Sequence, residues 1–345
     1  MEMFEQMHRA SASNADVLTH TGLLLLALVG LGAVAGAVRA QALTPLRVNA
    51  FFGAQNLPLF VGLSRGIFEK HGLAIDLAFT PNSDAQRTGL AEGAFEIAHG
   101  AVDNAVAMVE SAGRDAVIVL GGDSSMNEFF VVPELTSAAQ MRGKTLLVDA
   151  PNTAYALQAK KILLESGVKP GEYALKLAGA TPSRVKALLS REGEAAIVNV
   201  PFSILAARQG MRSLGRTSDL LGPYQGTGAF VMRAWAQAHG DLLDRYLAAY
   251  VESLRWALAP ANRAACIALL TARLQVAEDV AAATYDLETD PSFGLTPDAR
   301  FDLPGFRNLL SLRAELEGQW GGTPPAPDRF IDLQYYSRAL TRLAR

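Results

Sequence analysis

Two short motifs in this 345-residue sequence could handle a phosphate or carry a nucleophile: Gly143-Lys144-Thr145 and Gly122-Asp123-Ser124-Ser125-Met126. The first lacks the glycine that a phosphate loop needs five residues earlier, where Ala138 stands, and it opens a strand instead of a helix. The second lacks the closing glycine of a nucleophile elbow. The single cysteine, Cys266, excludes a disulfide framework and a multi-thiolate zinc site, and its neighbours Ile267, Leu269 and Leu270 mark it as a small buried apolar residue. The five histidines (His8, His20, His71, His99, His239) never fall at metal-ligand spacing, and no dinucleotide glycine fingerprint occurs. No catalytic residue, metal or cofactor is expected.

What remains is a series of short polar side chains at the ends of apolar runs. They are Gln55 and Asn56; Asn82, Ser83 and Gln86; His99 and Asp103; Asp123 and Ser124; Asn152 and Thr153; Thr181 and Arg184; and Asn199. In open α/β sheets, ligands bind in the crevice outside the carboxyl ends of the strands. Several of these residues also open helices, whose free N–H groups suit an electronegative ligand atom. Taken singly, each is more often an N-cap than a ligand contact. Asn199 differs, because it ends an apolar strand just before Val200-Pro201, where an amide needs buried partners or a ligand. A bare oxyanion would favour Lys or Arg. Here Arg184 and His99 face Asp103, Asp123, Asp149 and Glu128, which suits a polar organic ligand with a donor group, a zwitterion or a nitrogen heterocycle.

The elements that must position these residues alternate strand and helix, the pattern of an α/β fold with parallel strands. Leu46–Ala50, Ala74–Thr80, Glu96–Ala98 and Val117–Gly121 read as strands; Leu57–His71 and Ala85–Glu92 read as helices closed by Gly72 and Gly93. A second set follows, with strands Lys144–Asp149, Tyr173–Ala178 and Ala195–Val200 and a helix Thr153–Ser166. Thr181-Pro182 opens a further helix, with Thr181 as N-cap. The helix–glycine–strand punctuation around Gly93 returns around Gly193. Short β-like runs at Glu128–Pro133 and Thr227–Arg233 bracket the second set, so the middle of the chain reads as an insertion. The expected division is a first lobe over 43–127, a second over 128–231, and a helical return to the first over 232–345. In that return Leu243, Tyr246, Leu247, Tyr250, Val251, Leu254 and Leu258 form one apolar face, and 328–343 reads as a final covering helix.

Composition narrows the partners. Half the residues are hydrophobic and 19% are charged, which is ordinary for a globular chain, and the formal charge of −3 offers no basic stripe for nucleic acid. Residues Gly22–Val38 form an uncharged apolar run followed by Arg39 and Ala40-Gln41-Ala42, the order of an export signal cut after Ala42. The run is short for a membrane span and holds four glycines. Glu2, Glu5 and Asp16 fit an export signal badly, and a start at Met7 would remove both glutamates. With no cysteine at the cut, the exported chain is not a lipoprotein.

The ordered motifs resemble the nitrate/sulfonate/taurine family of ABC-transporter substrate-binding proteins. They are Pro58–Gly72 with Ile75–Leu77, Leu90-Ala91-Glu92-Gly93 with Glu96-Ile97-Ala98, Gly121-Gly122-Asp123 and Met141–Thr145. Ala187-Leu188 with Pro201, and Asp332-Leu333 with Tyr335-Tyr336, extend the likeness over the chain beyond the leader. The resemblance implies a type II periplasmic binding protein fold, two α/β lobes joined by two crossing strands, with a small-molecule ligand clamped between them. It also implies delivery to an inner-membrane permease, and the chain is expected to be a monomeric periplasmic receptor, not an enzyme. The family's pocket loops fall on Gln55–Asn56, Asn82–Ser83, His99–Asp103, Asn152–Thr153 and Asn199. An aromatic residue often stands at the Asn199 position, so Phe202 or Tyr224 is expected to supply stacking instead. The related thiamine-pyrimidine synthases keep an enzyme or precursor-binding alternative, although their cysteine-rich segment is absent here.

Overall fold

Ten strands form two five-stranded sheets in a computed structural model that describes residues 42–344. The expected leader, apart from Ala42, lies outside the described residues. Apolar β-branched runs such as Ala116–Leu120, buried at every position, are the natural interior strands of such a fold.

The first sheet contains β1 (Thr44–Ala50), β2 (Leu73–Phe79), β3 (Ile97–Ala101) and β4 (Ala116–Leu120). The chain then enters the second sheet with β5 (Glu128–Val131), β6 (Thr145–Val148), β7 (Ala174–Leu177), β8 (Ala195–Val198) and β9 (Arg212–Arg216). It returns to the first as β10 (Thr227–Met232). The strand orders are β2-β1-β3-β10-β4 and β7-β6-β8-β5-β9. In each sheet the strand that follows a crossing, β5 or β10, runs antiparallel to both neighbours. The sequence-based boundary at 231 falls inside β10, a strand of the first sheet.

Several local expectations need correcting. Leu57–His71 is not one helix: Gly66 adopts a left-handed backbone (φ 67°) and splits it into Leu57–Ser64 and Ile67–Lys70. Thr181 is not an N-cap. Ala180 holds that position, and the Thr181 hydroxyl instead accepts a hydrogen bond from Arg184. The Gly93/Gly193 correspondence is only superficial, since Gly93 is left-handed whereas Arg191 takes that conformation in the second lobe. Gly193 is there because a Cβ would lie 2.7 Å from the Leu147 side chain. The final covering helix is Gln334–Leu343, preceded by a short turn at Pro327–Arg329.

The helix Gly240–Leu258 buries Leu243, Tyr246, Leu247, Tyr250, Val251 and Leu254, and it packs on the helices Leu57–Ser64 and Gln334–Leu343. Cys266 is fully buried in the same core. A second core joins the helices Asp103–Ala112 and Leu303–Glu317 around Phe306, Leu309 and Phe330. Within it lies a wholly buried ion pair, Arg313 Nη1 to Asp103 Oδ1 at 2.5 Å. Breaking such a pair strands an uncompensated charge and costs roughly 3–5 kcal/mol. Arg313→Met should therefore lower the urea midpoint sharply. The double variant Asp103→Leu/Arg313→Met should recover most of that loss, and equal destabilisation of the two would deny the pair this role.

Candidate functional site

The carboxyl ends of the strands meet in a crevice between the two sheets that encloses about 500 Å³ of empty space, part of it open to solvent. From the first-sheet side, Phe51, Phe52 and Gln55 follow β1, Ser83 opens the helix Ser83–Ala91, and Asn104 lies in the first turn after β3. From the second-sheet side come Asp149 after β6, Thr153 and Tyr155 at the start of the helix Ala154–Glu165, Arg184, and Asn199 after β8. Arg184 is held by the Gly179 and Ile197 carbonyls and the Thr181 hydroxyl, with its guanidinium over the Tyr155 ring at 5.2 Å. Burial lowers its pKa, partly offset by Asp149 and Tyr155. Three buried atoms on this wall find no hydrogen-bond partner in the protein: Asp149 Oδ1, Arg184 Nε and Asn199 Oδ1.

Of the residues singled out in the sequence, Gln55, Ser83, Thr153, Thr181, Arg184 and Asn199 line this cavity. The others do different work. Asn56 is buried and donates to the Phe51 and Gly53 carbonyls, which shapes the loop that presents Phe51, Phe52 and Gln55. Asn82 caps its helix by accepting from the Ala85 amide at 2.8 Å. Gln86 is fully buried and donates to Asn49 and the His99 carbonyl, while its oxygen accepts from Asn104. Asp103 is committed to Arg313. Asn152 offers its carbonyl to Arg313 and its side-chain oxygen to Arg87. Tyr224 belongs to the second core and does not line this cavity. Phe202 is likewise buried, so the aromatic surface comes from Phe51, Phe52 and Tyr155.

His99 is also a correction. Its Nε2 meets the Tyr246 hydroxyl at 2.7 Å and its ring stacks on Tyr250, inside the core. Burial pulls its pKa down to about 3, so it is a neutral group and offers no cation to an anion.

A smaller cavity adjoins the first and shares Gln55, Tyr155, Asn199 and Thr227 with it. It adds Asp123, another of the sequence-derived candidates, and Glu288, which the sequence did not suggest; Ser124 lines neither cavity. Burial raises the pKa of both carboxyls; hydrogen bonds from Thr227 and Ser125 counteract this at Asp123, while Asp123 itself adds to it at Glu288.

A profile of the NMT1-like family matches residues 39–271, well over half the chain. The chain belongs to the NMT1-like family. No curated protein matches it. Among solved structures, a protein of Bordetella bronchiseptica RB50 superposes with a TM-score of 0.76 at 18% identity, covering 87% of this chain and 98% of that one. The periplasmic nitrate-binding protein NrtA of Synechocystis PCC 6803 gives 0.71 at 14% identity, over 88% and 90% of the two chains. The periplasmic aliphatic sulphonate-binding protein SsuA of Escherichia coli gives 0.65 at 18%, over 84% and 92%. The fold is thus the two-lobed α/β fold of periplasmic binding proteins, as the sequence resemblance implied.

In this NMT1-like chain the lobes touch directly across the crevice. The Ser83 amide donates to Asp149 Oδ2 at 3.0 Å, the Ala180 amide to the Pro81 carbonyl at 3.0 Å, and Asn199 Nδ2 to Gln55 Oε1 at 3.3 Å. Among the described residues no helix is long and apolar enough to cross a membrane, and no group of three or more His, Cys, Asp or Glu could hold a metal ion.

The neutral His99 carries a pH prediction. The unfolded chain takes up a proton near the ordinary value of 6.5, but the folded chain resists protonation down to about 3. Stability is therefore lost as pH falls below that ordinary value, by up to about 1.4 kcal/mol per pH unit. Asp123 and Glu288 act in the opposite sense in both proteins, so comparison with His99→Gln isolates the imidazole. Urea midpoints measured from about pH 7 to about pH 4 should fall less steeply in the variant, and parallel curves would contradict a neutral, buried His99.

Proposed function

We propose that this chain is the exported solute-binding receptor of an ABC importer, which clamps one small polar organic molecule between its lobes and delivers it to an inner-membrane permease. The observation that carries this reading is the trio of unpartnered atoms in the cleft, Asp149 Oδ1, Arg184 Nε and Asn199 Oδ1. A buried polar atom left unpaired costs about 1–3 kcal/mol, and a bound solute can supply what the protein does not. Two of the three atoms accept and one donates. A ligand with N–H donors and an acceptor end, such as a taurine-like zwitterion or a nitrogen heterocycle, meets all three, whereas a bare oxyanion meets only Arg184. Phe51, Phe52 and Tyr155 cover its apolar part. The solute-binding roles of NrtA and SsuA support the receptor role. No step of catalysis is assigned to any residue. The rival reading, a thiamine-pyrimidine-precursor enzyme or binding protein on the same scaffold, uses the same cleft and differs in turnover.

Native mass spectrometry of freshly purified protein should show one small molecule per chain, released unchanged after prolonged incubation; a chemically converted product would replace the receptor with an enzyme. With the released compound, Asn199→Ala should weaken binding by one to two powers of ten and reduce ligand-induced stabilisation, which follows RT ln(1 + [L]/Kd). Its ligand-free melting temperature should stay near that of the wild type. Export makes a separate demand. The intact mass of the protein from the periplasmic fraction should correspond to a chain starting at Leu43, and a full-length chain in the membrane fraction would mean an anchor instead.

A further inference from the structure

Glu288 is the last residue of the helix Glu278–Glu288, and its side chain is wholly buried. Neither carboxyl oxygen has a hydrogen-bond partner in the protein, and the group lines the smaller cavity. The negative end of a helix is the least favourable terminus for an acid, and burial without a partner adds a desolvation cost of several kcal/mol. Asp123, in the same cavity, is fully engaged: its oxygens accept from the Ser125 amide and from the Thr227 amide and hydroxyl. A second carboxyl close by makes the Glu288 site worse for an anion. Packing therefore supplies no reason for an acid at this position, and an apolar residue of similar size would be more stable.

We propose that Glu288, with Asp123 beside it, forms an acidic subsite that receives a cationic nitrogen of the solute held in the main cavity. The proposal rests on the reading of the cleft as a solute site and names the chemical class of that solute. Gln55, Tyr155, Asn199 and Thr227 line both cavities, so the cavities are neighbours, and the solute of this proposal extends from the Arg184 side past these shared side chains to Glu288. Such a solute carries an acceptor at one end and a protonated amine or amidine at the other. An ammonium has three donors, enough to satisfy both Glu288 oxygens and one further acceptor. The same buried carboxyls, held above the usual carboxylate range, would be drawn back toward ionisation by the cation.

The test uses matched probes: ω-amino amides of two to six carbons and the corresponding ω-hydroxy amides, titrated by calorimetry into the wild-type protein and into Glu288→Gln. At least one amine should bind tenfold or more tightly than its hydroxy partner, and Glu288→Gln should remove that preference. If no amine of the series exceeds its hydroxy partner, or if the preference survives in Glu288→Gln, the subsite is overturned. Glu288→Gln should melt, without probe, at or above the wild-type temperature, because it removes a buried ionisable group; Glu288→Leu provides a second check on the loss of preference. A neutral or anionic co-purified compound that is lost in Asn199→Ala but retained in Glu288→Gln would overturn the acidic subsite and leave the receptor standing.

Discussion

Two charges taken wholly out of water, Asp103 and Arg313, set the terms for the rest of the molecule. They lie 210 residues apart, and their pairing fixes the helix Leu303–Glu317, which comes after the chain has returned from the second sheet, against the helix Asp103–Ala112 beside the first. Burial works against the Arg313 charge, and Asp103 more than offsets it. Arg313 also donates to the Asn152 carbonyl in the loop after β6, so the group that closes the first lobe also touches the second. Lys160–Glu317 and Lys161–Glu315 span the same junction nearer the surface, where screening leaves them worth little. Lobe integrity and lobe closure are thus carried by different bonds. The ion pair can persist while the single contact to Asn152 breaks.

Beneath the cleft, the same demand for partners builds a floor without net charge. Asn49, Gln86, Asn104 and Ser83 hydrogen-bond in series, and neutral His99 stands between that floor and Tyr246. Asn56 and Asn82, spent on backbone groups, give the two first-lobe loops their shape. Residues that could have met a ligand instead fix the ones that line the cavity.

That division explains what was legible in the sequence. Strands buried on both faces announce themselves as apolar runs, but β9, Arg-Ser-Leu-Gly-Arg, is a half-exposed edge strand whose pairing with β5 supplies the only signal. Ser83, Thr153 and Asn199 could be found because strand ends point at the crevice; Asp103 and Gln86, by the same rule, could not be told apart from them, since their partners lie in distant segments. Tyr155 reads as core at a helix start, and only the Arg184 guanidinium stacked on its ring reveals the cavity wall. Phe51-Phe52, directly after β1 and before Gln55, carried a usable signal: two aromatics where the strand leaves the core. Glu288 had none, because an acid at a helix end normally faces water and here is buried only through contacts made by the returning chain.

Closure gains its meaning from where the remaining charges sit. Arg184 and Asp149 belong to the second sheet's loops, while Asp123 and Glu288 belong to the crossing and the C-terminal return. A ligand can shift an open–closed equilibrium only by the difference in its affinity for the two states. A molecule that meets one lobe alone has the same contacts in both, and it closes nothing. One that bridges Arg184 and the acids across the shared Gln55, Tyr155 and Asn199 makes its full set of contacts only when the lobes meet. It also relieves atoms that closure has taken out of water. On the proposed receptor reading, a solute that touches both lobes favours the form in which they meet by the contacts it makes only there.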